Sequence, residues 1–306
     1  MIPLCAPENA KLPTALALGS FDGLHLGHKK VIKAILKEPI GVPTVVSFWP
    51  HPREVLFGES RLRLDLPNEK TFLLEPLGIE QLVLVPFNKN LASKSAETFV
   101  EEVLAKTLHA KHIAVGENFR FGRNREGDTS TLEKIGASLG IKISIVPIVK
   151  DNHGRLSSSR VRKALNDGDL KHAKYLLKRP YTFRGTVEKG RGLGKKIGWP
   201  TANLKIDGRK FLPSLGVYAA WASIANKKER FLAVMNMGPQ PTIDPNSLSA
   251  VEVHLLDKEI NLLGHELIIE PVQRIRLQKK FENIEALSKQ ISSDAKLAKE
   301  ILTQKL

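Results

Sequence analysis

The chain has 306 residues, enough for two ordinary domains with a sizeable core in each. Hydrophobic residues make up 42% and charged residues 26%, which excludes a disordered chain, and no run approaches the ~18 apolar residues of a membrane span. The formal charge is +15, but aromatics are only 6% and no arginine-rich tract exists, so the surplus reads as solvation and mild steering of nucleotides and argues against nucleic-acid binding.

Met1 to Lys11 carries two prolines and no basic region leading into an apolar core, which argues against a signal peptide. The single cysteine, Cys5, excludes an internal disulfide and a multi-cysteine zinc site, so cytoplasm is the expected compartment. The composition is compatible with a monomer and with a homo-oligomer alike.

From Ala15 to about Val149 apolar runs alternate with helical periodicity. Ala15–Leu18 reads as a buried strand, followed by a glycine-rich stretch and apolar residues at helical spacing from His28 to Lys37. Further strands are expected at Val42–Phe48, Gln81–Val85, His112–Val115 and Lys142–Val149, with helices near Ser95–His109 and Thr129–Leu139. This order predicts an α/β domain with a parallel sheet, whose ligands bind beyond the carboxyl ends of the strands. Helices over Ser158–Asn166 and Asp169–Leu177 follow. After Arg179-Pro180 the pattern changes to short β runs at Tyr181–Val187, Gly216–Ile224, Phe231–Met235, Ala250–Leu256 and Leu267–Ile275, then a helix over Ile284–Gln304. Short strands without intervening helices predict a small antiparallel barrel, with the boundary near residue 180 separating domains 1–180 and 181–306.

The stretch Gly19-Ser20-Phe21-Asp22-Gly23-Leu24-His25-Leu26-Gly27-His28 is the most informative in the chain. Strand, glycine-rich turn and helix together aim backbone N–H groups and a positive helix end at phosphate. His25 and His28 are three apart and share one helix face, and Gly27 lets a phosphoryl group approach the backbone. A metal pair on a helix usually sits at i and i+4 with a third ligand elsewhere, which is not evident here. Three more segments are expected at the same sheet edge: Phe48–Pro52, Gly116–Gly122 with Asn118 and Arg120, and Arg155–Arg162. Ser157–Ser159 could be a plain N-cap, but capping does not account for Arg155, Arg160 and Arg162, whereas an anion site does.

In the second half, Gly190, Gly192, Gly194 and Gly198 fall within nine positions, a pattern that alone suits a flexible hairpin. Trp199-Pro200-Thr201-Ala202-Asn203 follows at once. A hydroxyl and an amide two apart in a strand point to one face, and both are hard oxygen donors suited to Mg²⁺. Val251–Asp257 alternates like a half-buried strand, in which Glu252 on pattern alone is an ordinary solvent-face residue.

These motifs, in this order from about Ala15 to Asp294, resemble the bacterial bifunctional riboflavin kinase/FAD synthetase family. The resemblance implies a Rossmann-like nucleotidyltransferase domain followed by a riboflavin kinase barrel. It implies catalytic roles for His25, His28, Asn118, Ser158, Ser159 and Arg162 in adenylyl transfer. Gly19, Phe21, Asp22, Gly23, Gly27 and Arg155 would line that nucleotide site. In the kinase, Gly190, Gly192, Gly194, Gly198 and Pro200 would surround ATP, Thr201 and Asn203 would hold Mg²⁺, and Glu252 would be the general base. Arg274–Phe281, with Arg276, would be a flap over flavin. Riboflavin, FMN and ATP are the implied substrates. Met237, Gln240 and Leu263 depart from the family pattern, where isoleucine, arginine and tyrosine are common, and bear on flavin affinity. A nucleotidyltransferase for another acceptor, such as pantetheine phosphate or nicotinate mononucleotide, would not need the kinase-like half. A non-catalytic flavin- or RNA-binding regulator would not need His25, His28, Thr201, Asn203 and Glu252 together.

Overall fold

The run expected as a buried strand, Ala15–Leu18, forms within Thr14–Leu18 and is buried along its whole length. Leu16 and Leu18 enter one apolar layer with Phe99, Leu104 and Ile113, while Ala15 and Ala17 enter another with Val31, Ile32 and Ile35. Both faces of this strand are covered, as a parallel sheet requires. The computed structural model describes residues 1–38, 40–59, 62–190, 194, 198–238, 251–258 and 260–304. Two units emerge from their contacts: Met1–Arg61 with Asp65–Ser158, and Leu62–Leu64 with Ser159–Leu306.

The first unit contains strands Leu4–Cys5 (β1), Thr14–Leu18 (β2), Val42–Trp49 (β3), Gln81–Pro86 (β4), Ala110–Gly116 (β5) and Lys142–Val146 (β6). They form one sheet in the order β1-β4-β3-β2-β5-β6, and every pairing is parallel. The chain steps from β2 outward to β3 and β4, then returns to the other side of β2 with β5. The carboxyl ends of β2 and β5 therefore flank a topological switch point, where open α/β sheets bind ligands. Helices Leu26–Leu36 (α1), Pro52–Phe57 (α2), Pro67–Leu74 (α3), Lys89–Ser93 (α4), Ala96–Thr98 (α5) and Thr129–Ser138 (α6) complete the unit, with a widened π-type helix over Phe99–Thr107. Lys142–Val149 is shorter than expected. Pro147 follows Val146 and has no N–H to give to a ladder, so the strand stops there. A small antiparallel pair, Lys150–Asp151 (β7) and Gly154–Arg155 (β8), follows.

Helix Ser158–Asp167 (α7), whose first residue belongs to the first unit, and helix Leu170–Leu177 (α8) open the second. Strands Phe183–Glu188 (β9), Ala202–Lys205 (β10), Gly216–Ile224 (β11), Arg230–Met237 (β12), Val251–Leu255 (β13) and Glu266–Arg276 (β14) close a barrel in the order β10-β13-β12-β11-β14-β9. All its pairings are antiparallel. Helix Ile284–Thr303 (α9), capped by Asn283, lays Ala298 and Leu302 on Val217, Ala219 and Val234 of the wall. Leu62–Leu64 is part of this unit. Arg63 bridges Lys210 in parallel, its N–H donating to Arg209 O at 2.6 Å and its carbonyl accepting from Phe211 at 2.7 Å. The fully buried Lys210 ammonium donates to Leu64 O (2.6 Å) and Thr182 O (3.1 Å).

Candidate active sites

In the first unit the turn between β2 and α1 is held in an unusual backbone shape. Phe21 (φ 45°), Gly23 (φ 87°) and Leu24 (φ 43°) all lie in the left-handed region. For a bulky residue this costs about 1–3 kcal/mol and persists only where the surroundings enforce it. Here they do. Phe21 and Leu24 are each 1% exposed in the core, and Gly19 N donates to Val46 O at 3.1 Å. Ser47 Oγ (3.1 Å) and Lys70 Nζ (2.9 Å) both donate to Ser20 O. Ser158 Oγ donates to Asp22 O at 2.8 Å, and Asp65 N to Asp22 Oδ1 at 3.4 Å.

The turn delivers His25 to the N-cap of α1 and His28 to its first turn. Their rings stack with centroids 3.7 Å apart and planes at 20°, and Phe21 meets His28 edge-on at 5.3 Å. A Cβ on Gly27 would lie 3.1 Å from His25 Cε1, so glycine is what lets the first ring lie flat along the helix start. Burial pushes His25 down to about 4, with Asp22 opposing and Arg155 reinforcing the shift. Burial, then the neighbouring His25 and Lys70, holds His28 well below the usual histidine range. Both rings are therefore neutral near pH 7, and their buried Nδ1 atoms have no partner among the described residues. Two unsatisfied buried ring nitrogens at a helix N-terminus and a switch point make a site for an anionic group.

Neutral burial has a consequence for stability. The unfolded chain binds protons at these rings below pH 6.5, whereas folded His25 does so only near 4. Stability is thus fully present above the unfolded value and is lost as pH falls from about 6.5 towards 4, by up to roughly 3 kcal/mol for His25. His25→Gln is expected to flatten this acid slope in denaturant titrations at pH 7 and 4.5. An unchanged slope would mean that the folded ring already carries a proton.

The other expected residues of this half divide between the units. Asn118 is exposed in the turn after β5, across the switch point from the histidines. Arg155 lies in β8 and contributes its charge at His25. Ser158 belongs to the first unit, its hydroxyl engaged with the turn backbone. Ser159 and Arg162 belong to the second unit. Arg162 donates to Leu62 O at 3.1 Å and lies 5.7 Å over the Phe211 ring. His51, at the end of β3, is the capping group of α2, accepting from Arg53 N at 3.1 Å.

The second unit gathers its polar residues through strand register. Asn203 of β10 stands directly opposite Glu252 of β13, which stands opposite Asn236 of β12. Opposed residues share a face, and the alternate residues Val251, Val253, Met235 and Met237 are buried on the other. Thr201 immediately precedes β10. A Cβ on Gly190 would fall 2.0 Å from Asn203 Nδ2, and one on Gly194 would fall 2.2 Å from Trp199 O and 3.2 Å from Thr201 Oγ1. The glycines are thus required by the approach of the loop to these two oxygen-bearing side chains. His254 Nδ1 donates to Pro200 O at 2.7 Å and its ring meets Trp199 edge-on at 5.1 Å, which fixes the Trp-Pro-Thr segment against β13. Gly198 takes φ 81°. Gly192 and Gln240 lie outside the described residues. Arg276 is committed to the buried Asp294 of α9 through Nε (3.1 and 3.0 Å) and Nη2 (2.8 Å), with Phe281 5.6 Å away. Met237 is buried and Leu263 is 57% exposed.

Sequence reading missed Ser47 and Lys70, and covered Gln278 only as part of the segment Arg274–Phe281. Lys70 looks like a surface residue of a short helix, yet it is 6% exposed and points at the β2–α1 turn. Gln278 Nε2 donates to Asn236 Oδ1 (3.1 Å) and Met237 O (2.7 Å). No local pattern marks such residues, because their partners are 27 or more positions away.

The family model for FAD synthetase matches residues 8–160, and that for riboflavin kinase matches 177–302. A bifunctional riboflavin kinase/FMN adenylyltransferase of Haemophilus influenzae is 34% identical over 295 residues, covering 93% of each chain. The protein of that description from Bacillus subtilis is 35% identical over 300 residues, 95% of this chain and 92% of its own. This chain belongs to the bifunctional riboflavin kinase/FMN adenylyltransferase family. A crystal structure from Streptococcus pneumoniae described as a macrolide-efflux protein superposes with a TM-score of 0.82 at 30% identity, covering 96% of this chain and 97% of that one. Among the described residues no helix is long and apolar enough to cross a membrane.

Members of an ATP-using family of this kind need a divalent cation, and the barrel residues fit one. Thr201 and Asn203 supply hard oxygen donors, and the loop glycines Gly190 and Gly194 pass close beside them. Among the described residues no cluster of three or more His, Cys, Asp or Glu side chains forms a cage. A cation sharing its coordination with nucleotide phosphates needs none.

Proposed function

We propose that the chain makes FMN and then FAD at two separate sites, the kinase in the barrel and the adenylyltransferase at the β2–α1 turn. The observation that carries the reading is that each unit holds its own set of phosphate chemistry: stacked neutral imidazoles in one, the Asn203–Glu252 register pair in the other. On this reading the functional boundary lies near residue 180.

In the barrel, Glu252 takes the proton from the terminal ribityl hydroxyl as that oxygen attacks the γ-phosphorus of ATP. The bond from the γ-phosphorus to the bridging oxygen breaks and ADP leaves with the electron pair. Thr201 and Asn203 would hold Mg²⁺, which when bound neutralises phosphate charge. Gly190, Gly194, Gly198 and Pro200 shape the loop around the nucleotide, with Gly192 assigned by resemblance.

In the first unit, a phosphate oxygen of FMN attacks the α-phosphorus of ATP and pyrophosphate leaves. No covalent enzyme intermediate forms. Gly19, Phe21, Asp22, Gly23 and Gly27 build the turn, and His25 and His28 donate ring N–H groups to phosphate oxygens. Asn118 and Arg155 supply polar and positive contacts from the sheet edge, and Ser158 braces the turn. Ser159 and Arg162 are assigned to this reaction by their motif. Catalysis here is positioning and charge stabilisation. A cytoplasmic location, where ATP and riboflavin are both at hand, completes the reading.

Incubation with riboflavin, ATP and Mg²⁺, followed by chromatographic separation of flavins, tests this directly. FMN and FAD together are expected. FMN alone would remove the adenylyltransferase from the reading, and no turnover by folded protein would overturn it.

A further inference from the structure

Glu252 accepts no hydrogen bond from any described residue, although a general base works only when one of its oxygens is aimed at the proton it takes. The residue placed to aim it stands opposite, on β12. Asn236 and Glu252 are register partners, and such pairs have Cβ atoms about 4.5–5.5 Å apart on one face. Side-chain amide and carboxylate are then within reach of one another.

The orientation of that amide is set from behind. Gln278, just past β14, uses its Nε2 group twice, on Asn236 Oδ1 at 3.1 Å and on Met237 O at 2.7 Å. An amide whose oxygen is engaged presents its two N–H donors elsewhere. Among the described residues these donors have no partner, and the residue that the register sets directly opposite is Glu252. The segment carrying Gln278 is itself tied down. Arg276 is clamped to Asp294, Gln290 Nε2 donates to Asp294 Oδ1 at 2.9 Å, and Lys279 Nζ donates to Gln290 Oε1 at 2.6 Å.

We propose that Asn236 is a positioning residue for riboflavin phosphorylation, donating to one oxygen of Glu252 so that the other faces the substrate hydroxyl, and that Gln278 fixes Asn236 in that orientation. This rests on the reading of Glu252 as the base. An N–H donor on one carboxylate oxygen restricts rotation of the group and leaves the other lone pairs for proton transfer. Misplacing a reacting group by about 1 Å can cost of the order of 10²-fold in rate.

The test uses the full chain and follows kcat and KM for riboflavin phosphorylation. Asn236→Ala is expected to lower kcat by about 10–10²-fold with KM for riboflavin and ATP changed less than about 3-fold. Asn236→Asp keeps the shape and the acceptor for Gln278 but has no donor, so it should do no better than alanine. Asn236→Ser, which retains a donor, should recover part of the rate, and Gln278→Ala should show a smaller loss. In a Glu252→Gln background, Asn236→Ala should add almost nothing, because the group it acts through is gone. Thermal unfolding of each variant checks the fold, and the near-isosteric aspartate variant carries the argument if alanine unfolds. Unchanged kcat, a rise confined to KM, or a loss that multiplies with that of Glu252→Gln would each overturn the role of Asn236. If Glu252→Gln alone still makes FMN at the parent rate, the base reading falls as well, and the two failures are told apart by that single variant.

Discussion

Glu252→Gln is expected to slow FMN formation by about 10²–10⁴-fold, the usual cost of removing a general base, while adenylylation of supplied FMN stays near the parent rate. The substitution keeps the size of the side chain and its place opposite Asn203 and Asn236, so the barrel wall should survive it. On the proposed reading, what disappears is the ability to accept a full proton as the ribityl oxygen attacks. On the proposed reading the second activity is spared because His25 and His28 belong to another sheet and another unit. Chromatography of products from riboflavin, and separately from FMN, reads both outcomes. Equal loss of both activities in a protein that unfolds normally would contradict two independent sites.

His28→Ala is expected to give the converse result, FAD formation falling by about 10²–10³-fold with FMN formation unaffected. The variant removes one ring of a pair stacked at 3.7 Å and the edge contact with Phe21. His25 then loses the neighbour that holds it flat at the helix start. His28→Asn, which keeps a hydrogen-bonding group near the position of Nδ1, should be less impaired than alanine. Loss of FMN formation in either variant would show that the kinase depends on the first site.

The elements proposed to carry the chemistry are largely legible in the sequence because their signals are local. Ala15–Leu18, the glycine turn and the helix after it declare themselves by periodicity and by glycine where backbone must approach phosphate. Asn203 and Glu252 sit on strands, where pairing in register sets them opposite one another, and Thr201 immediately precedes the first of these. What escaped depends on contacts between distant segments. Nothing near Lys70 says that its ammonium reaches Ser20 O, and nothing near Arg276 says that Asp294 claims its guanidinium. The short helices Pro52–Phe57 and Pro67–Leu74 escape sequence reading because they have only six and eight residues and each begins at a proline, which also reads as a loop signal. Arg162 is read as a phosphate ligand from its company in sequence, and no local signal announces its contacts with Leu62 O and the Phe211 ring.

The three residues Leu62–Leu64 bear on how independent the two activities can be. They come from the middle of the sequence that builds the parallel sheet, yet they complete the barrel unit. A fragment cut at the start of the kinase match, residue 177, would retain Lys210 beneath the barrel wall without the Leu64 carbonyl that receives its ammonium at 2.6 Å. The Tyr181 hydroxyl would lose the same acceptor, and the edge at Lys210 would lose both backbone bonds to Arg63. Gene fission at a single linker would therefore remove the shorter of the two carbonyl contacts described for a buried cation, so parting the two enzymes into separate proteins demands a substitute for a three-residue loan.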